Sequence, residues 1–191
     1  MPDAPPKTGG LLALDLARVT GWAYLAPGGQ PVFGSREFGE GGIEIGVLAH
    51  KFDLWLSDKI TAFKPALVAY EMHAGRWFDN RAPLVCYGMI WHAEEICWRR
   101  GVATVHYSNS EWTKTFLGTA KRHGSRAGKR KGKDARRVDF KSRTQVEAKL
   151  RGWPVRNPDQ ADALGILVHA AKVSGIAPEL AERGTLLELE T

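Results

Sequence analysis

The spacing of apolar residues changes twice along this chain, and the order of those changes limits the folds open to it. Leu11 to Leu16, Val19 to Ala26 and Val32 to Phe38 are strand-length runs. The gaps between them are short, and Pro27-Gly28-Gly29 is a turn signal, so the three read as an antiparallel meander. From Ile43 to Phe63 the spacing becomes near-helical, through Ile43, Val47, Phe52, Leu56, Ile60 and Phe63. After Pro65, strand and helix alternate. Ala66 to Tyr70 reads as a strand ending at Glu71, Pro83 to Arg100 as a helix, and Val102 to His106 as a strand. Ser108 or Ser110 then caps a short helix through Leu117. A helix from Ser142 to Leu150 follows, and Asn157-Pro158-Asp159 opens a last one running to about Val173. Three strands, a helix and then alternation argue for a mixed α/β sheet with helices on its faces, not a doubly wound nucleotide fold. No Gly-x-Gly-x-x-Gly or P-loop pattern follows any strand.

The 191 residues suffice for one domain with a real core, read here as residues 11–175 between a leader at 1–10 and a tail at 176–191. Cys86 and Cys97 are too few for a disulfide framework and lack the companions of a zinc site, so they read as small core hydrophobes. No apolar run approaches the roughly 18 residues of a membrane helix. Asp15 and Arg18 interrupt the one stretch that resembles a signal-peptide core, which points to a cytoplasmic protein.

The net charge of +6 is unevenly distributed. Lys121, Arg122, Arg126, Lys129, Arg130, Lys131, Lys133, Arg136, Arg137, Lys141 and Arg143 are opposed locally only by Asp134 and Asp139. The rest of the chain holds 16 basic residues against 19 acidic. A mildly acidic domain thus carries a cationic loop, at residues 119–140, suited to a polyanion because each neutralised phosphate releases counterions. A solvated loop with no partner has the same composition. A membrane surface fits less well, since Arg126 to Lys133 offers no apolar face to insert.

Carboxylates interrupt the apolar pattern at three places. Asp15 lies inside Leu11-Leu12-Ala13-Leu14-Asp15-Leu16, where a charge is costly unless paired or bound to a cation. Glu71 ends its strand in the same way. Asp159 and Asp162 stand at i and i+3 on one face of the last helix, about 5–6 Å apart. Singly, each has an ordinary explanation as a turn former or helix cap. Together, four hard oxygen donors suit divalent cations. Beside a binder of phosphates, such cations serve phosphodiester hydrolysis.

These residues also carry a family resemblance. Leu12-Ala13-Leu14-Asp15-Leu16-Ala17-Arg18-Val19-Thr20-Gly21-Trp22-Ala23 resembles the first hairpin of RuvC-type Holliday-junction resolvases, within the RNase H-like nucleases. Leu67-Val68-Ala69-Tyr70-Glu71 is similar to that family's fourth strand, and Asp159-Gln160-Ala161-Asp162-Ala163-Leu164-Gly165-Ile166 to its last helix. Ser110-Glu111-Trp112-Thr113-Lys114 resembles phage and prophage members. The resemblance implies an RNase H-like, five-stranded mixed sheet flanked by helices, and a homodimer formed through the helix at 83–100. It implies paired, symmetric nicking of four-way DNA junctions with two Mg²⁺ (or Mn²⁺) per site, leaving 5′-phosphates. It would make Asp15, Glu71, Asp159 and Asp162 the metal ligands, with Asp15 bridging, and Lys141 a basic residue near the scissile phosphate. On the dimer helix, Leu84, Val85, Met89, Trp91, Ile96 and Trp98 suit burial against both sheet and partner, and equally an ordinary wide core stripe.

Two features depart from the family pattern. Ala74 stands where an aromatic wedge often follows the catalytic Glu, although Trp77 and Phe78, beside Arg76, come soon after and suit stacking on bases. The basic insert is also longer and more basic than in cellular resolvases, and with Lys114 among the DNA-binding candidates it suggests a looser grip on DNA shape and sequence, since phosphate contacts position without specifying. A less selective phage-type endonuclease and a catalytically idle junction-binding dimer are the alternatives.

Overall fold

The computed structural model describes residues 9–72, 81–118 and 143–182. Five strands form one mixed sheet in the order β3-β2-β1-β4-β5. They are β1 (Gly10–Asp15), β2 (Val19–Leu25), β3 (Val32–Glu37), β4 (Pro65–Glu71) and β5 (Ala103–Tyr107). The first three are antiparallel neighbours, as the tight turns require, while β4 and β5 run parallel to β1. Parallel pairing needs crossovers, and these are α1 (Ile45–Phe63) and α2 (Arg81–Arg99). On the other side lie α3 (Asn109–Phe116), α4 (143–150), α5 (Pro158–Ser174) and α6 (Glu179–Glu182). The sequence boundaries differ from these by one or two residues at element ends, where the last turns fray.

Side-chain alternation divides the core into two layers. Leu12, Leu14, Val68 and Tyr70 pack beneath α1 and α2 with Leu48, Phe52, Leu56 and Ile96. Leu11, Ala13, Leu67 and Ala69 pack beneath α3 and α5 with Trp112, Phe116, Leu164 and Val168. The thiol of Cys97 lies in the first layer, pushed up to about 12 by burial and then by the nearby Glu94. Cys86 is only half-buried. The segment read as a tail begins with α6, whose Leu180 joins the core together with Ala177.

Arg151 is the staple of the α3/α5 layer. Its Nε donates to Glu147 Oε1 at 2.6 Å, and its other nitrogens donate to the carbonyls of Leu180 (2.8 Å) and Phe116 (3.3 Å). The guanidinium also lies over the rings of Phe116 and Trp153. Both ion-pair side chains are buried, so removing one strands the other's charge. Arg151→Met should therefore cost about 3–5 kcal/mol in urea unfolding, and Glu147→Leu added to it should recover part of the loss. Because Phe116 ends α3 and Arg151 follows α4, this one side chain ties α3 to the end of α4.

Candidate active site

Backbone register brings the acidic positions to one end of the sheet. β1 and β4 are parallel and pair Leu14 with Tyr70, so the next residues, Asp15 and Glu71, adjoin at the carboxyl ends of the two strands. Each shares the parity of residues in the α3/α5 layer, Leu11 and Ala13 for Asp15, Leu67 and Ala69 for Glu71, and so belongs to that face. In β2, Gly21 pairs with Asp15. A Cβ built on Gly21 would meet the carbonyl oxygen of Asp159 at 1.8 Å. Only glycine lets the first turn of α5 lie directly on the sheet there.

The seat of α5 is fixed from its other side by Ser35, which pairs with Gly21 across β2 and β3. Asn157 Nδ2 donates to Ser35 Oγ at 2.9 Å, while the Asn157 side-chain oxygen caps the helix by accepting from the Gln160 N–H at 3.0 Å. Gln160 Oε1 accepts from the Arg156 N–H at 2.8 Å. These contacts lodge the helix start over the ends of β1 and β2, with Asp159 half-buried and Asp162 buried at 8% exposure. The sequence expected partial burial of Asp162, and the structure makes it deeper than that.

Glu71 is 6% exposed and held from α3. Its Oε2 accepts from the indole Nε1 of Trp112 at 2.8 Å and from Asn109 Nδ2 at 3.3 Å. Trp112 is fully buried, and a Cβ on Gly165 of α5 would meet its ring at 2.6 Å. A glycine in α5 is thus what lets the indole reach under the helix. The capping box of Ser108 and Glu111 sets where α3 begins, so Asn109 and Trp112 share a face at i and i+3. The two serine bonds hold the Glu111 carboxyl below its usual range. Nearby, burial lowers His169, which bonds Thr115 through Nδ1 at 2.7 Å and meets the Tyr107 ring edge-on.

Four carboxylates thus lie toward one end of one face, two on adjoining strands and two on the helix lodged above them. All are hard oxygen donors, the set that suits Mg²⁺ or Mn²⁺. Among the described residues no three His, Cys, Asp or Glu side chains are already closed into an ion-holding group. The fit to a cation therefore rests on donor chemistry and shared placement. Lys114 and Arg143 are exposed. Arg76, Trp77, Phe78, Lys121, Arg122, Lys129, Arg130, Lys131, Lys133, Arg136, Arg137 and Lys141 lie outside the described residues. Sequence reasoning missed the roles of Asn109, Trp112 and Gly21. A donor pair at helical spacing directly after the strand beside Glu71 was the available signal for the first two.

On the opposite layer, α2 carries Leu84, Trp91 and Trp98 at heptad spacing, exposed by 58%, 76% and 81%. An ordinary core stripe does not describe them, whereas Met89 and Ile96 are buried in the sheet layer. No helix of the described residues is long and apolar enough to cross a membrane.

No protein-family model matches the sequence, and no curated protein matches it. Solved structures do match. RuvC of Thermus thermophilus in complex with Holliday junction substrate aligns with a TM-score of 0.62 at 13% identity, covering 88% of this chain and 97% of that one. A second Thermus thermophilus RuvC structure gives 0.58 at 16% identity, over 86% and 95%. The yeast mitochondrial Holliday junction resolvase Ydc2 gives 0.54 at 10% identity, over 95% and 86%. The likeness is one of fold. The five-stranded mixed sheet with flanking helices is the RNase H-like architecture that RuvC also has.

Proposed function

We infer that this protein is a metal-dependent, structure-selective endonuclease that resolves four-way DNA junctions by paired symmetric nicks, leaving 5′-phosphates. The observation that supports the reading is the placement of Asp15 and Glu71 at adjoining strand ends, with the first turn of α5, which carries Asp159 and Asp162, seated against Gly21 beside them. In this reading Asp15, Glu71, Asp159 and Asp162 would be the residues that hold the Mg²⁺ (or Mn²⁺) ions. When bound, such ions supply Lewis acidity for an in-line phosphodiester displacement. The chain's own part is to hold the carboxylates in place, through the α5 seat on Gly21 and the donors on Glu71.

The cationic segment with Lys114 and Arg143 grips phosphates, Lys141 approaches the scissile one, and Arg76, Trp77 and Phe78 contact junction bases. Phosphate contacts orient DNA without reading its sequence, so no strict cognate sequence is expected at the cut. The test is incubation with a synthetic immobile junction, a flap and a linear duplex, with and without Mg²⁺, on a denaturing gel. Symmetric nicks confined to the junction and dependent on Mg²⁺ are expected. Equal cutting of all three would instead favour a nonselective nuclease, and junction binding without cutting an idle binding module.

Paired nicks require two sites, and the exposed stripe on α2 supports a homodimer. Gly88 lies in the same stripe with open space above it, which suits close approach of a second helix. Trp91 also borders an apolar groove of about 400 Å³ between α1 and α2. Buried tryptophans dominate such interfaces. Trp91→Glu with Trp98→Glu should therefore raise the dimer Kd roughly 100-fold or more by analytical ultracentrifugation, with the far-ultraviolet spectrum unchanged. The reading places the protein in the cytoplasm.

A further inference from the structure

We propose that Trp112, assisted by Asn109, is a positioning residue that fixes the orientation of the Glu71 carboxylate as a ligand for a divalent cation; this rests on the functional reading above. The geometry is specific. Both donors address the same oxygen, Oε2, at 2.8 and 3.3 Å. A carboxylate with one oxygen held twice cannot turn about its terminal bond without losing both contacts, so its orientation is set from α3.

Trp112 is fully buried and wedged at Gly165, so the indole itself has no freedom to follow the carboxylate. The placement has an internal logic. α5 delivers an acidic pair, Asp159 and Asp162, at i and i+3. α3 packs beside it and delivers a donor pair, Asn109 and Trp112, at the same spacing, to the strand end between them. Apolar packing alone does not explain the arrangement, since Phe would fill most of the indole's volume while offering no donor. Groups that orient a metal-ligating side chain commonly matter 10- to 100-fold for metal affinity or activity.

The test uses the full-length protein with Trp112→Phe, which keeps the ring and removes the donor. Asn109→Ala, at the exposed start of α3, guards against a packing defect in the first variant. In metal-stripped wild-type protein, the Trp112 indole N–H resonance should lie downfield and move upfield in Glu71→Gln. Calorimetric titration with Mn²⁺, without DNA, should show affinity reduced about 10- to 100-fold in Trp112→Phe and roughly 2- to 10-fold in Asn109→Ala. Junction nicking should need correspondingly more Mg²⁺ for half-maximal rate, with the KM for junction unchanged. Unchanged Mn²⁺ affinity in both folded variants, beside a wild type that binds Mn²⁺ and cuts, would overturn the role of Trp112 and leave the nuclease reading intact. A wild type that neither takes up Mn²⁺ nor nicks junctions would remove the nuclease reading and this inference with it.

Discussion

Asp15→Asn should abolish junction nicking while junction binding persists. The substitution is nearly isosteric at the last residue of β1, so the hairpin register with Gly21 and the sheet beneath are retained. What it removes is one formal negative charge from a site whose other members are Glu71, Asp159 and Asp162. In the proposed reading DNA affinity comes from the cationic residues, which the variant does not touch, so binding and its salt dependence should match wild type. Thermal melting separates this from a folding defect. A cation that binds only the native state stabilises by about 2.7 kcal/mol at a hundredfold excess over its Kd. Wild-type protein should therefore melt higher in Mg²⁺ than in EDTA. Asp15→Asn should melt at or above the wild-type temperature in EDTA, because like charges repel less, and should gain little from Mg²⁺. A variant that still cut at the wild-type rate would show that Asp15 is not in the site.

Gly21→Ala is the second large effect, and it acts without changing any charge. The added methyl would sit 1.8 Å from the Asp159 carbonyl oxygen, so the start of α5 must lift or β2 must recede. Overpacking of this kind costs about 1–3 kcal/mol, which the protein should survive as a lowered melting temperature. Function should suffer far more. Asp159 and Asp162 ride on the displaced turn, and a misplacement of about 1 Å at a reacting centre costs on the order of 100-fold in rate. The expected result is a folded protein with near-normal junction binding and at least about 100-fold slower nicking. Equal rates for the variant and wild type would mean that the seat of α5 does not set the site.

The extent to which all this was legible from the sequence differs by feature. The meander β1 to β3 was legible because short apolar runs and a Pro-Gly-Gly turn leave few other arrangements. The mixed sheet followed from the switch to helical spacing, and Phe52, Leu56 and Ile60 do lie on the buried face of α1, but Leu48 completes that face and Val47, expected there, is exposed. The acids stood out because Asp15 and Asp162 interrupt apolar runs. Partnerships across the chain were not legible. The bond from Trp112 to Glu71 spans 41 residues, and nothing in Ser110-Glu111-Trp112-Thr113-Lys114 says that its indole is a donor to a carboxylate. Arg151 and Glu147 look like a solvated i, i+4 surface pair, yet both are buried because Phe116, Trp153 and α6 close over them. Gly21 appeared only as part of a hairpin motif, since the reason for glycine lies on a helix about 140 residues away. The heptad stripe on α2 was legible as apolar, but whether sheet or solvent faced it required the packed fold.

The account turns on whether the four carboxylates hold divalent ions together. Anomalous scattering from crystals of the protein soaked in Mn²⁺ addresses this directly. The expected map shows one or two Mn²⁺ peaks bounded by the side chains of Asp15, Glu71, Asp159 and Asp162, and none at that place in Asp15→Asn. A saturated crystal with no peak between those residues, or with Mn²⁺ bound only elsewhere on the protein, would contradict it.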